Sequence, residues 1–75
     1  TIEDRIAACR THFIKSIEWK GEILGVLEMR RHYSNYFKGL DHFKEYRLKL
    51  VTLNSPSDII SLLDEIHLHY TSKAA

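Results

Sequence analysis

The chain has 75 residues, of which 44% are hydrophobic and 28% are charged, and its formal net charge is +1. This length allows one domain at most, and the composition excludes a disordered chain. No run of about 18 apolar residues is present, which excludes a transmembrane helix, and these residues contain no secretory signal pattern. We expect a soluble, cytoplasmic protein.

Cys9 is the only cysteine, so no internal disulfide can form, which fits a reducing cytosol. It lies within an apolar stripe, and we expect it to fill the core rather than act as a nucleophile. The chain begins at Thr1 without an initiator methionine and opens directly with a helix start. We therefore expect a fragment of a longer protein.

The first predicted helix starts at Thr1, a suitable N-cap, with Glu3 and Asp4 favourable in the first turn. Its inward stripe at helical spacing is Ile2, Ile6, Cys9, Phe13 and Ile17. Gly21 is predicted to end this helix, because the sequence WKGE is typical of a helix stop followed by a restart.

A second helix is predicted from about Glu22 to Phe37. Its inward face is formed by Ile23, Val26, Met29, Tyr33, Phe37 and Leu40. Leu24 and Leu27 lie outside this face, toward Arg31. The start of the helix is therefore apolar around more than half of its circumference, which indicates a central position or a contact outside this chain.

Gly39 is predicted to close the second helix, and Asp41 is the predicted N-cap of a short third helix. The inward residues there are Leu40, Phe43, Tyr46 and Leu50. The sequence LNSPSD predicts another helix start, with Ser55 as N-cap and Pro56 at the first helical position. The inward stripe of the fourth helix is Ile59, Leu62, Leu63, Ile66 and Tyr70.

Four amphipathic helices with short connections predict an all-α fold, a small four-helix bundle of up-and-down topology. The domain is predicted to span residues 1–70, followed by a frayed tail at 71–75.

No catalytic or metal site is predicted. His67 and His69 are two residues apart and point in different directions on a helix. His12, His32 and His42 lie on separate segments, and their proximity in space is left open. The three glycines form no phosphate-binding loop. We expect no catalytic residue, cofactor or metal in this fragment.

Positive charge is concentrated in residues 29–50, which hold six Lys and Arg against two Asp and Glu. Arg31 and Lys38 are two helical turns apart on one polar stripe, and Lys44 and Arg47 follow on the next helix. This pattern predicts a surface that contacts nucleic-acid phosphates, with ordinary solvated charges as the alternative.

The segment WKGEILGVLEMRRHYSNYFKGL resembles the C-terminal helical domain of the bacterial tRNA-dihydrouridine synthases. The family pattern is met by Lys20-Gly21, Arg30-Arg31-His32, Tyr36 and Lys38-Gly39-Leu40, and SPSDIISLLDEI resembles the family's last helix. The resemblance covers roughly residues 17–66. Arg31 replaces the usual lysine, Asn35 replaces a common tryptophan, and Asp41-His42 replaces a proline-containing turn.

The resemblance implies a single tRNA-binding domain excised from a larger TIM-barrel enzyme, an oxidoreductase that reduces uridine in tRNA to 5,6-dihydrouridine. The N-terminal barrel would carry FMN and use NADPH, whereas this fragment is non-catalytic. The expected tRNA contacts are Arg31, Lys38, Lys44 and Arg47. The expected domain-junction residues are Arg30, His32, Leu24 and Leu27, and Arg30 is also expected to pair with a carboxylate such as Asp64 or Glu65.

An alternative function is a non-catalytic bundle that docks on another protein through Leu24 and Leu27. It predicts an association that is insensitive to salt. A DNA-binding helix-turn-helix is less favoured, because the basic residues surround a helix junction and no recognition helix is evident.

Overall fold

The computed structural model describes residues 1–72, and this part of the chain is helical without any strand. Its helices are α1 (Ile2–Arg30), α2 (Tyr33–Tyr36), α3 (Lys44–Leu50) and α4 (Pro56–Thr71). They pack into a body of 39 × 20 × 20 Å. None of these helices is long and apolar enough to cross a membrane. The all-α prediction is confirmed.

Helix α1 is a helical hairpin, because Gly21 has φ 85° and ψ 171° and reverses the chain. We call residues 2–20 the N-terminal arm and residues 22–30 the C-terminal arm. The Ser16 hydroxyl donates to the Gly25 carbonyl at 3.3 Å, although nine residues of straight helix span about 13 Å. The predicted stop and restart at Gly21 is confirmed. Thr1 caps the helix as predicted, accepting from the Asp4 amide at 3.2 Å.

Helix α4 packs antiparallel along the N-terminal arm. The pairs that share an ion pair or a groove are Arg10 with Asp64, Glu3 with His67, and Ile17 with Pro56. Helix α4 therefore begins level with Ile17, and the end of the hairpin projects beyond it. We call this projecting end the tip, and the exposed apolar residues on it or next to it are Trp19, Ile23, Leu24 and Leu27.

The core joins all four helices. Its buried apolar residues are Ile6, Cys9, Phe13, Val26, Met29, Tyr33, Phe37, Phe43, Leu50, Ile59, Leu62, Leu63 and Ile66. The predicted stripes are confirmed with one exception. Ile23 was predicted to face inward but is 78% exposed, because it lies on the tip, beyond the start of α4.

The second helix ends earlier than predicted. The C-terminal arm stops at Arg30, and the His32 amide donates to the Met29 carbonyl at 2.9 Å, the tight spacing of a turn. Helix α2 then starts at Tyr33. The predicted continuous helix to Phe37 is therefore wrong, because this turn at residues 31–32, the α1–α2 corner, interrupts it.

The predicted cap of the third helix is also wrong. Helix α3 starts at Lys44 with Phe43 at the N-cap position, and the Asp41 carbonyl instead accepts from the Tyr70 hydroxyl at 2.7 Å. Ser55 is the N-cap of α4 as predicted, but its hydroxyl makes no capping bond. Helix α4 includes Thr71, which the sequence assigned to the tail; residues 73–75 of that predicted tail lie outside the described residues.

Candidate nucleic-acid interface

The link between α2 and α3 turns the chain back so that the two helices border one cleft. Gly39 (φ 83°) and His42 (φ 57°) both have left-handed backbone conformations within this link. Such a conformation costs about 1–2 kcal/mol in a residue with a side chain. The rings of Phe37 and Phe43, which flank the link, are stacked with centroids 4.7 Å apart. This buried aromatic pair holds the two ends of the link together.

The cleft has a volume of about 520 Å³ and is lined by three of the predicted phosphate contacts, Lys38, Lys44 and Arg47. Tyr33, Ser34, Phe37, Gly39, Leu40, His42 and Phe43 complete its lining. All three cationic residues are exposed. The fold therefore brings together residues from the end of α2 and the first turns of α3, and we call this feature the basic cleft.

The three cations of the basic cleft have no ion-pair partner within residues 1–72. The guanidinium of Arg5 donates to the Lys38 carbonyl at 3.0 Å, which ties this edge of the cleft to the N-terminal arm. Concentrated, unpaired positive charge creates a favourable potential for an anion. Lysine and arginine at such a surface are the residues that contact nucleic-acid phosphates.

Arg31, the fourth predicted tRNA contact, lies outside the basic cleft. Its guanidinium is 3.2 Å from Glu28, and the same carboxylate oxygen lies 2.6 Å from the Lys20 ammonium. The hydrogen bond from Lys20, followed by the charges of Lys20, Arg31 and His32, holds the pKa of Glu28 below its ordinary value. Arg31 is thus partly neutralised, and the structure does not group it with the other three.

Within residues 1–72 Arg30 contacts no carboxylate, so the predicted pairing with Asp64 or Glu65 is wrong. Its guanidinium donates to the Asn54 side-chain oxygen at 2.9 Å and to the Leu53 carbonyl at 3.3 Å. Arg30 therefore ties the end of α1 to the link before α4. Asp64 pairs instead with Arg10, because α4 runs along the N-terminal arm.

Leu24 and Leu27 are two of the four exposed apolar residues on the tip or next to it. Trp19 is 88% exposed, and Leu24 and Leu27 are 63% and 48% exposed. Sequence reasoning identified the two leucines but missed Trp19, although a tryptophan directly before a Lys-Gly helix stop is a signal for an exposed tip.

His32, predicted at a domain junction, contacts His12 with ring centroids 4.7 Å apart. The His12 Nδ1 atom lies 2.9 Å from the Tyr36 hydroxyl. Twenty residues separate the two histidines, so no local pattern predicted this cluster. Burial, and secondly the charge of His32, lower the pKa of His12, while Glu28 acts in the opposite direction.

The remaining candidates for a catalytic or metal-binding role are weak. Cys9 is fully buried, as predicted, and burial raises its pKa to about 12. No three histidine, cysteine, aspartate or glutamate side chains in the described part of the chain are arranged to hold a metal ion. No model of a known protein family and no solved structure matches the chain.

Proposed function

We propose that this chain is a tRNA-binding helical domain, the C-terminal bundle of a cytoplasmic tRNA-dihydrouridine synthase. The observation that carries the proposal is the convergence of Lys38, Lys44 and Arg47, without ion-pair partners in residues 1–72, on one cleft. The family-like sequence Lys38-Gly39-Leu40 forms part of the same cleft. The two lines of evidence share Lys38.

A tRNA-binding surface that is separate from the active site suits the proposed reaction. A uridine in folded tRNA must leave its stack to reach a flavin, at a cost of a few kcal/mol. A second basic surface that holds the tRNA body offsets part of this cost and orients the target. In this proposal the TIM barrel, with FMN and NADPH, performs the reduction, and the present domain positions the substrate.

Binding of fluorescently labelled tRNA to the 75-residue chain, measured by anisotropy over a range of salt concentrations, tests the proposal. Three phosphate contacts predict a slope of log affinity against log salt of about −2.7. Lys44→Ala is expected to weaken binding and to reduce the size of this slope by about 0.9. The matched control is Lys15→Ala, which removes the same charge from an exposed site on the N-terminal arm, outside the cleft lining.

Affinity that does not change with salt, or equal losses in Lys44→Ala and Lys15→Ala, would contradict tRNA binding at the cleft. The second candidate function is docking on another protein, which the exposed apolar tip favours. In that case association is insensitive to salt, and Leu27→Asp abolishes it whereas Lys38→Ala does not.

A further inference from the structure

Two histidines and a tyrosine meet where the N-terminal arm packs against the α1–α2 corner. His12 comes from the arm, His32 from the corner, and Tyr36 from the last residue of α2. The His12 and His32 rings are 4.7 Å apart between centroids, and the His12 and Tyr36 rings are 5.8 Å apart with an interplanar angle of 67°. All three side chains are half-buried. The cluster therefore joins three segments through polar, titratable groups.

Protonation changes the interactions within this cluster. Two imidazolium rings at this separation repel each other, and partial burial limits the screening by water. A neutral imidazole can donate or accept at Nδ1, whereas an imidazolium can only donate. Acidification therefore both introduces repulsion between His12 and His32 and restricts the hydrogen bond between His12 and Tyr36.

The surrounding charges do not compensate two imidazolium rings. The charged groups around the cluster are Lys15, Glu18 and Lys20 from the N-terminal arm and Glu28 and Arg31 from the C-terminal arm and the corner. Glu28 is the carboxylate that acts on both histidines. It already binds Lys20 and Arg31, so one negative charge is shared among existing cations. On the side of Tyr36 lies the Cys9 thiol, which is uncharged at neutral pH.

We propose that His12, His32 and Tyr36 form a proton-sensitive latch, which ties α2 to the N-terminal arm at neutral pH and releases it on acidification. Helix α2 leads directly into Phe37 and Lys38, so its release also loosens one wall of the basic cleft. The latch is a property of the fold alone and is independent of any RNA ligand.

Urea unfolding at about pH 7.5 and about pH 5 brackets the ordinary histidine pKa and tests the latch. The pKa of His12 is lowered in the folded state, so the unfolded chain binds the proton more readily and stability falls as the pH falls through about 6.5. The folding equilibrium constant is expected to fall by up to about tenfold for each unit of this lowering.

His12→Asn is the informative variant, because an amide can replace the hydrogen bond to Tyr36 but cannot be protonated in this pH range. This variant is expected to lose most of the pH dependence of folding stability. The matched control is His69→Asn, an exposed histidine on α4 outside the cluster, which is expected to keep it. An unchanged pH dependence in His12→Asn would overturn the latch.

An NMR titration of the unaltered chain gives a second test that does not depend on a variant folding. The backbone amides of Tyr36 and Lys38 are expected to shift with the same midpoint as the His12 ring, while amides in the middle of α4 stay unchanged. Amides of α2 that do not follow the His12 midpoint would also overturn the proposal, whether or not the chain binds RNA.

Discussion

The hairpin of α1 leads to a testable prediction at Gly25, where the two arms lie close together. A Cβ atom at this position would lie 2.9 Å from the Ser16 carbonyl oxygen, 2.9 Å from Ile17 Cδ1 and 3.0 Å from Ile17 Cα. Two of these three atoms belong to the backbone and cannot rotate away. Gly25→Ala therefore forces the arms apart by several tenths of an ångström.

The expected size of the effect follows from two opposed contributions. Replacing a helical glycine by alanine gains about 1 kcal/mol of helix propensity. Overpacking in a buried contact costs about 1–3 kcal/mol, and separating the arms also weakens the hydrogen bond from Ser16 to the Gly25 carbonyl, worth about 0.5–1.5 kcal/mol. We expect a net destabilisation of about 0.5–3.5 kcal/mol, because the sum of the two costs exceeds the gain.

Thermal unfolding followed by circular dichroism measures this effect, since 1 kcal/mol changes Tm by about 4–8 °C in a domain of this size. The control is Glu22→Ala, an exposed position on the same arm, which should change stability by no more than about 0.5 kcal/mol. A Gly25→Ala variant as stable as the unaltered chain would refute the close approach of the arms, and with it the hairpin.

Two further predictions concern buried groups. The Cys9 thiol, fully buried and with its pKa raised to about 12, should react with a thiol reagent at about pH 8 only on unfolding; rapid labelling of the native chain would show that the core opens there. The Tyr33 hydroxyl is buried without a hydrogen-bond partner in residues 1–72, so Tyr33→Phe should leave the free energy of unfolding unchanged or raise it by up to about 1 kcal/mol in a urea titration. A clear loss of stability would reveal a partner for this hydroxyl.

The sequence predicted the helices best where a local signal marks their ends. Gly21, Gly39 and Pro56 interrupt the helical pattern, and the structure has a reversal, a left-handed turn and a helix start at these residues. The α1–α2 corner has no glycine or proline, and there the sequence wrongly predicted an uninterrupted helix. A tight turn made of ordinary residues is stabilised by what packs against it, which a local pattern does not contain.

In the candidate site, too, the sequence predicted what depends on neighbouring residues and missed what depends on packing between segments. The residues of the basic cleft could be selected as a group because helix periodicity and short links keep them close along the chain. The pairing of Arg31 with Glu28 is a local i,i+3 contact, but the binding of Arg30 to Asn54 depends on which segments meet in space. The same holds for the pairing of His12 with His32, twenty residues away.

By itself, the sequence determined the all-helical class, most of the buried residues and the region of positive charge, because periodicity and composition act over a few residues. Only the tertiary structure decided which helix ends are covered and which charges are neutralised. Ile23 shows the reason most directly. It repeats at the same helical spacing as the buried Val26 and Met29, yet it is exposed, since burial requires a neighbouring helix that extends as far as the residue.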